Sequence, residues 1–276
     1  MKYTDWETAV SASKTDFEFL KEIRSYGITA IELSVALWEC GNIDWQGFRT
    51  NADKAGIKVL SYHLPFGETV DISLCDEEAR KSAVERNRGL MMLAADIGIN
   101  RFVIHPSYEP IADSERSTRT EQAKSSLIEL AEIANGLGAV ICVENLPRTC
   151  LGHNIAEMKE LISSDSRLKV CFDVNHLLAE QGDDHKAFVS ELGSKIITAH
   201  MSDYDFEDEK HYFCGNGLID WRELIEALEE ADYCGPFLFE GGFTPHRAHP
   251  EVPCGTLAEA RVRHLSIKSF RGKNNS

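Results

Sequence analysis

Seven short apolar runs in this sequence end on, or within a position or so of, a residue able to bind a metal or move a proton. These are Glu32, His63, His105, Glu144, Asp173, His200 and Glu240, spaced by 31, 42, 39, 29, 27 and 40 residues. Taken singly, each has an ordinary reading. A histidine at a strand end is usually satisfied by its neighbours, and Glu32 could be one half of a salt bridge. Glu144 and Glu240 are harder to dismiss, because each follows four or five apolar residues, where an unpaired carboxylate is costly to desolvate. Asp173 sits behind KVCF in the same way. Carboxylates brought together repel unless a cation neutralises them, so a divalent metal site is the simplest chemistry that makes the set self-consistent. His176, three positions after Asp173, and His211, two after Glu209, extend the set. The other histidines (His153, His185, His246, His249 and His264) read as ordinary surface residues.

The elements that must position these residues alternate along the chain. The runs ITAIELS (28–34), IKVLSYH (57–63), NRFVIH (100–105), AVICVEN (139–145), LKVCFDV (168–174), KIITAHMSD (195–203) and PFLFEG (236–241) read as buried strands. Amphipathic stretches at 15–26, 45–55, 77–97, 121–137, 155–162, 184–192, 220–230 and 257–270 read as helices. Gly27, Gly56, Gly98, Gly138 and Gly193 stand where left-handed helix stops are expected. An eighth strand has room only at 4–11, TDWETAVS, a poor strand by composition. Strict alternation at this length predicts an α/β fold, a single closed (β/α)₈ barrel over residues 1–276 with a frayed tail at 271–276. An open doubly wound sheet is the alternative, but no GxGxxG follows any strand. In a parallel barrel all strand C-termini share one rim, where barrel enzymes carry their active sites.

Composition narrows the partners. The 276 residues include 29 Lys and Arg against 45 Asp and Glu, a net charge of −16. That balance argues against nucleic acid, which is held by clustered basic side chains. Arg101, Arg148 and Arg247 are scattered, and the basic cluster at 261–273 is expected to cap the last helix and stay in solvent. No apolar run reaches membrane-spanning length, the start lacks a signal-peptide core, and the eight cysteines form no CxxC pair. The expected setting is cytoplasmic and reducing, and the composition leaves a homo-oligomer open.

The segments SYHLPF, FVIHPS, ICVENLPR, VCFDVNHLL, ITAHMSDYD, HYFCGNGLIDW and FLFEGG span 61–242 in order. In them the sequence resembles the xylose isomerase-like barrel superfamily, which holds sugar isomerases and epimerases and also endonuclease IV-type enzymes. For ketose 3-epimerases the resemblance implies a metal held by Glu144, Asp173, His200 and Glu240. Glu144 and Glu240 would also be the acid/base pair, and His176 a substrate contact. For the endonuclease IV branch it implies three zinc sites. The first falls on His63, His105 and Glu144, and the second on Glu144, Asp173, His200 and Glu240. The third falls on His176, Glu209 and His211, with Glu209 standing where that branch has Asp.

Two activities follow from these residues. The first is a sugar, or sugar phosphate, isomerase or epimerase using one divalent cation (Mn, Mg, Co or Zn), which passes through an enediolate with two glutamates as acid and base. In that case His63, His105, His176, Glu209 and His211 bind substrate or further metal, and Arg148 and the Gly215–Gly217 loop are candidates to hold a phosphate. The second is a multinuclear zinc phosphoesterase, against whose DNA version the charge stands. A non-enzymatic sugar- or metal-binding protein has little to support it.

Overall fold

The computed structural model describes residues 1–179, 182 and 184–271. Eight strands, β1 (Thr8–Ala12), β2 (Ala30–Ser34), β3 (Lys58–His63), β4 (Arg101–Ile104), β5 (Val140–Glu144), β6 (Lys169–Asp173), β7 (Ile196–Met201) and β8 (Phe237–Phe239), close in chain order into a barrel. Every pairing is parallel, including β1 with β8. Eight helices alternate with them: α1 (Phe17–Ser25), α2 (Trp45–Ala55), α3 (Glu77–Asp96), α4 (Asp113–Gly136), α5 (Ile155–Ser163), α6 (His185–Leu192), α7 (Trp221–Glu230) and α8 (Leu257–Ser266). The (β/α)₈ architecture read from the alternation is the one observed.

Strand periodicity of two divides the core into two layers. Ile31, Leu33, Ile141, Val143, Val170, Phe172, Phe237 and Phe239 face outward into the main core under the helices. The intervening Ala9, Ala30 and Leu238 form one small inner cluster, and Val103, Cys142 and Cys171 form another. Because both faces are buried, the strands read as continuous apolar runs instead of alternating ones.

The boundaries depart from the sequence reading in four places. β1 occupies 8–12 rather than 4–11; its short TAVSA run is a strand because it closes the ring between β2 and β8. α4 begins at Asp113, well before the apolar period starts, because its polar first turns are anchored by arginines. Arg116 reaches Glu157 at 2.5 Å, and Arg119 reaches Asp71 at 2.5 Å. Gly27, Gly56, Gly98 and Gly138 are left-handed as expected, whereas Gly193 is right-handed (φ −51°) and leads into a further helical turn. The last α-helix stops at Ser266, and beyond Arg271 the expected tail lies outside the described residues.

Two arginines of the basic cluster and two of the histidines expected at the surface prove structural. Arg261 donates to Thr8 Oγ1 at 2.7 Å, and Arg263 is sandwiched between Phe213 and Phe270. His185 is held against the carbonyl of Val174 at 2.7 Å. His264 is fully buried, stacked on Phe237 at 4.6 Å, with Nε2 3.0 Å from the Tyr3 carbonyl and Nδ1 2.8 Å from Thr8 Oγ1. Burial drives its pKa down from the ordinary value to about 4. The folded state therefore resists a proton that the unfolded chain accepts near pH 6.5. The stability so contributed is complete above that pH and is lost as pH falls towards 4, by about 3 kcal/mol in all. Chemical denaturation of wild type and His264→Phe between pH 7 and pH 4 checks this. The variant keeps the stacking, so the stability difference between the two should shrink on acidification; a pH-independent difference contradicts it.

Candidate metal centre and active site

The inner layer of strand positions ends in the chemistry. Two residues beyond Ala30 is Glu32, beyond Cys142 is Glu144, beyond Cys171 is Asp173, beyond Thr198 is His200, and beyond Leu238 is Glu240. Parallel register sets Asp173 directly beside His200 and Glu144 beside Cys171. All the strand-end residues named from sequence thus gather at the C-terminal rim, and Glu32, Glu144, Asp173 and His200 are essentially inaccessible to solvent.

The geometry centres on His200 Nδ1. It lies 3.1 Å from Glu144 Oε1, 3.0 Å from Glu240 Oε2 and 3.7 Å from Asp173 Oδ2. On the opposite edge of the ring, Nε2 is 2.9 Å from Glu32 Oε1. His63 Nε2 and His105 Nε2 face the other Glu144 oxygen at 3.1 and 3.3 Å. Asn145 holds Asp173 in place by taking both backbone groups, accepting from its N–H and donating to its carbonyl, each at 2.9 Å.

The hydrogen bonds define what the site requires. His63 Nδ1 is 2.8 Å from the Leu64 carbonyl, His176 Nδ1 is 2.9 Å from the Asn145 carbonyl and His211 Nδ1 is 3.2 Å from the Glu240 carbonyl. A carbonyl only accepts, so each Nδ1 carries the proton and a neutral ring turns its Nε2 lone pair towards the site. For His63 and His176 that lone pair faces a carboxylate. Such backbone partners are what orient metal-ligating imidazoles. Asp173 Oδ2 and Glu240 Oε2 are buried without a hydrogen-bond partner. Lone pairs facing carboxylates, and carboxylate oxygens with no donor, call for positive charge. Without a cation the imidazoles supply it. Burial opposes charging His63, but the hydrogen bond and charge of Glu144 outweigh burial and raise it to about 9. Burial likewise opposes charging His176, and Asp173 and Glu209 raise it to about 10. For His105 burial prevails and the pKa is lowered. Ligand atoms lie within 4.8 Å of one another in two overlapping groups here, His63, Glu144, His200 and Glu240, and Glu144, Asp173 and His176. Such mixed carboxylate and imidazole sets suit Mn²⁺, Mg²⁺, Co²⁺ or Zn²⁺.

The wider ring is assembled too. His176, Glu209 and His211 present ligand atoms within 4.8 Å of one another, with His176 Nε2 3.1 Å from Glu209 Oε2. Burial opposes ionising Glu209, but His176 and Arg148 lower its carboxyl to about 2. Beside this cluster opens a cleft of about 220 Å³, lined by Phe66, Tyr108, Leu146 and Pro147 together with Glu109 and Arg148. Phe66 lies flat on His105, 4.4 Å between ring centres.

Neither residue group expected to hold phosphate is disposed to do so. Arg148 donates to Glu109 at 2.5 Å, Asp208 at 2.8 Å and Glu209 at 3.0 Å, which ties together the loops after β4, β5 and β7. Around the Gly215–Gly217 turn the backbone is claimed by buried Asp203, which accepts from Gly215 N at 2.8 Å, Ile219 N at 3.1 Å and Trp221 Nε1 at 2.8 Å. Sequence reasoning missed Glu109 and Asp208, which lie in charged loops without periodicity, and the contact of Glu32 with His200.

The pattern that defines the xylose isomerase-like TIM barrel matches residues 20–261. The chain belongs to this family. Among relatives, an uncharacterized protein of Methanocaldococcus jannaschii is 32% identical over 186 residues, 64% of this chain and 62% of the relative, so less than two thirds of that protein is spanned. L-ribulose-5-phosphate 3-epimerase of Escherichia coli is 22% identical over 265 residues, 93% of this chain and 91% of the enzyme. Among solved structures, D-psicose 3-epimerase in the presence of D-fructose superposes with a TM-score of 0.76 at 19% identity, covering 98% of this chain and 97% of that one. The 3-keto-D-glucoside 4-epimerase of E. coli gives 0.73 at 17% identity, covering 95% and 99%. These structural likenesses establish a shared barrel fold.

Proposed function

We propose that this chain is a divalent-metal-dependent isomerase or epimerase of a small sugar or related polyol ketone, with Glu144 and Glu240 as its acid/base pair. The observation that carries the reading is the set of Glu144, Asp173 and Glu240 oxygens turned towards His200 Nδ1 at the open end of the barrel. A divalent cation held by these four residues would supply Lewis-acid polarisation of the sugar carbonyl and neutralise charge developing on its oxygen. Glu144 and Glu240 come from the ends of β5 and β8, three strands apart, and so reach a substrate lying across the mouth from different sides. One carboxylate removes the proton on the carbon next to the carbonyl, leaving an enediolate, and the other returns one. Return to the opposite face of that carbon gives the epimer, and delivery to the neighbouring carbon gives the aldose–ketose isomer. His63, His105 and His176 orient hydroxyl groups. The naming of L-ribulose-5-phosphate and D-psicose 3-epimerases among similar proteins supports the substrate class.

Within that class the mouth favours a sugar without phosphate. A phosphate at Arg148 would have to displace three carboxylates that already satisfy the guanidinium. Eight free cysteines, with Cys142 and Cys171 inside the barrel, support a reducing cytoplasmic setting. No helix among the described residues is long and apolar enough to cross a membrane.

The test is a panel of free ketoses and their phosphate esters, incubated with metal-loaded protein in deuterated water. The expected result is an epimer or isomer carrying deuterium next to the carbonyl. Free ketoses should exceed their esters in kcat/KM by roughly tenfold, equivalent to about 1.4 kcal/mol of lost ion pairing. Turnover without exchange would point to hydride shift and remove the two-glutamate scheme. A second reading, a multinuclear zinc phosphoesterase, is favoured by one observation, the approach of His176, Glu209 and His211 to within 4.8 Å.

A further inference from the structure

Glu32 belongs to none of the converging ligand groups, yet it is as deeply buried as any of them. Its Oε2 accepts from Ser61 Oγ at 2.6 Å, and its Oε1 faces His200 Nε2 at 2.9 Å. A carboxyl group in the closed interior of a barrel is expensive unless it performs a task that an apolar residue cannot.

We infer that Glu32 is a positioning residue for the metal centre, fixing His200 as the tautomer that carries its proton on Nε2. The inference rests on the reading of His200 as a ligand. A neutral imidazole has one N–H and one lone pair, and only the lone pair binds a metal. With Oε2 engaged by Ser61, Glu32 presents Oε1 to Nε2 as an acceptor. In a neutral His200 the proton that Glu32 accepts sits on Nε2, which leaves the Nδ1 lone pair turned towards Glu144, Asp173 and Glu240. The other tautomer would place a proton on Nδ1 among those carboxylates, which satisfies them but blocks coordination. Glu32 thus biases the ring towards the state that binds metal. His63, stacked on His200 at 5.6 Å and 19° between planes, limits rotation of the ring. Removing such an outer partner typically weakens metal affinity by about 10–100-fold.

The experiment measures Mn²⁺ affinity from the free-ion EPR signal for wild type, Glu32→Gln, Glu32→Leu and His200→Gln. ¹⁵N-labelled protein freed of metal by chelation reports the His200 tautomer in the same series. Glu32→Gln should bind Mn²⁺ about tenfold more weakly and Glu32→Leu about a hundredfold, with loss of the single Nε2–H tautomer in both. A merely structural role would lower thermal stability and leave the tautomer and the affinity unchanged. If His200→Gln weakens binding while both Glu32 variants bind as wild type does, the metal site stands and the role of Glu32 is overturned. If His200→Gln binds Mn²⁺ as wild type does, the ligand reading fails and the role assigned to Glu32 falls with it. Glu32→Gln, matched in shape, decides the matter if the leucine variant does not fold.

Discussion

Replacing Glu144 or Glu240 by Gln is expected to lower kcat by about 10²–10⁴-fold, the usual contribution of a positioned general base or acid. The substitution keeps side-chain length and one carbonyl oxygen but removes the site that accepts a proton. The two variants should differ in accompanying effects. Glu144 lies at the hub of the ring, with His63 and His105 on one oxygen and His200 on the other, so its neutralisation strips a partner from three buried imidazoles. Metal content and thermal stability should fall with it. Glu240 is 19% exposed, more open to the mouth than Glu144, so its variant should keep more metal and lose chemistry more cleanly. Steady-state kinetics at saturating metal, with deuterium exchange measured in parallel, tests both. A metal-loaded Glu240→Gln protein that keeps more than a tenth of wild-type kcat would falsify the acid/base role.

Removing divalent ions by chelation should abolish turnover and destabilise the fold, because the buried carboxylates then depend on charging the buried imidazoles around them. At a metal concentration a hundred times Kd, restoring the ion should return about 2.7 kcal/mol of stability. Elemental analysis of the reloaded protein then separates the two readings of the site. One equivalent per chain, with activity restored on a ketose, fits the isomerase or epimerase. Three equivalents, with activity on a phosphodiester or an abasic DNA duplex at low salt, would transfer the assignment to the phosphoesterase. The latch of Arg148 with Glu109, Asp208 and Glu209 favours the first outcome, since it leaves the mouth acidic.

Much of this was legible in the chain because strand periodicity and active-site geometry are the same fact in a parallel barrel. Glu144 follows Cys142 by two and Asp173 follows Cys171 by two, so an apolar run with a carboxylate at its end announces an inward side chain at the rim. β1 was hard to place because Thr8 and Ser11 are acceptable only once β8 and β2 flank them, and ring closure has no local signature. The start of α4 was missed for a related reason: its first turns are secured by Arg116 and Arg119 reaching distant acids. His264 reads as a surface residue in the sequence because nothing local shows that α8 lays it on Phe237. Glu32 showed the right type at the right place, but its partner stands 168 residues away, a distance only the closed ring can bridge.

The two-residue spacing of the inner layer makes the strands intolerant of length change. A single insertion before Glu144 in β5 would exchange inside for outside along the remainder of that strand. The carboxylate would then point into the shell beneath the helices, with Val143 in the mouth, even if the ring still closed. The left-handed turns at Gly27, Gly56, Gly98 and Gly138, at the opposite end of the barrel, hold no site residue. Added or deleted residues there would be absorbed without moving a ligand, so lineages descended from this chain should vary in length at the floor of the barrel and keep its strands in count.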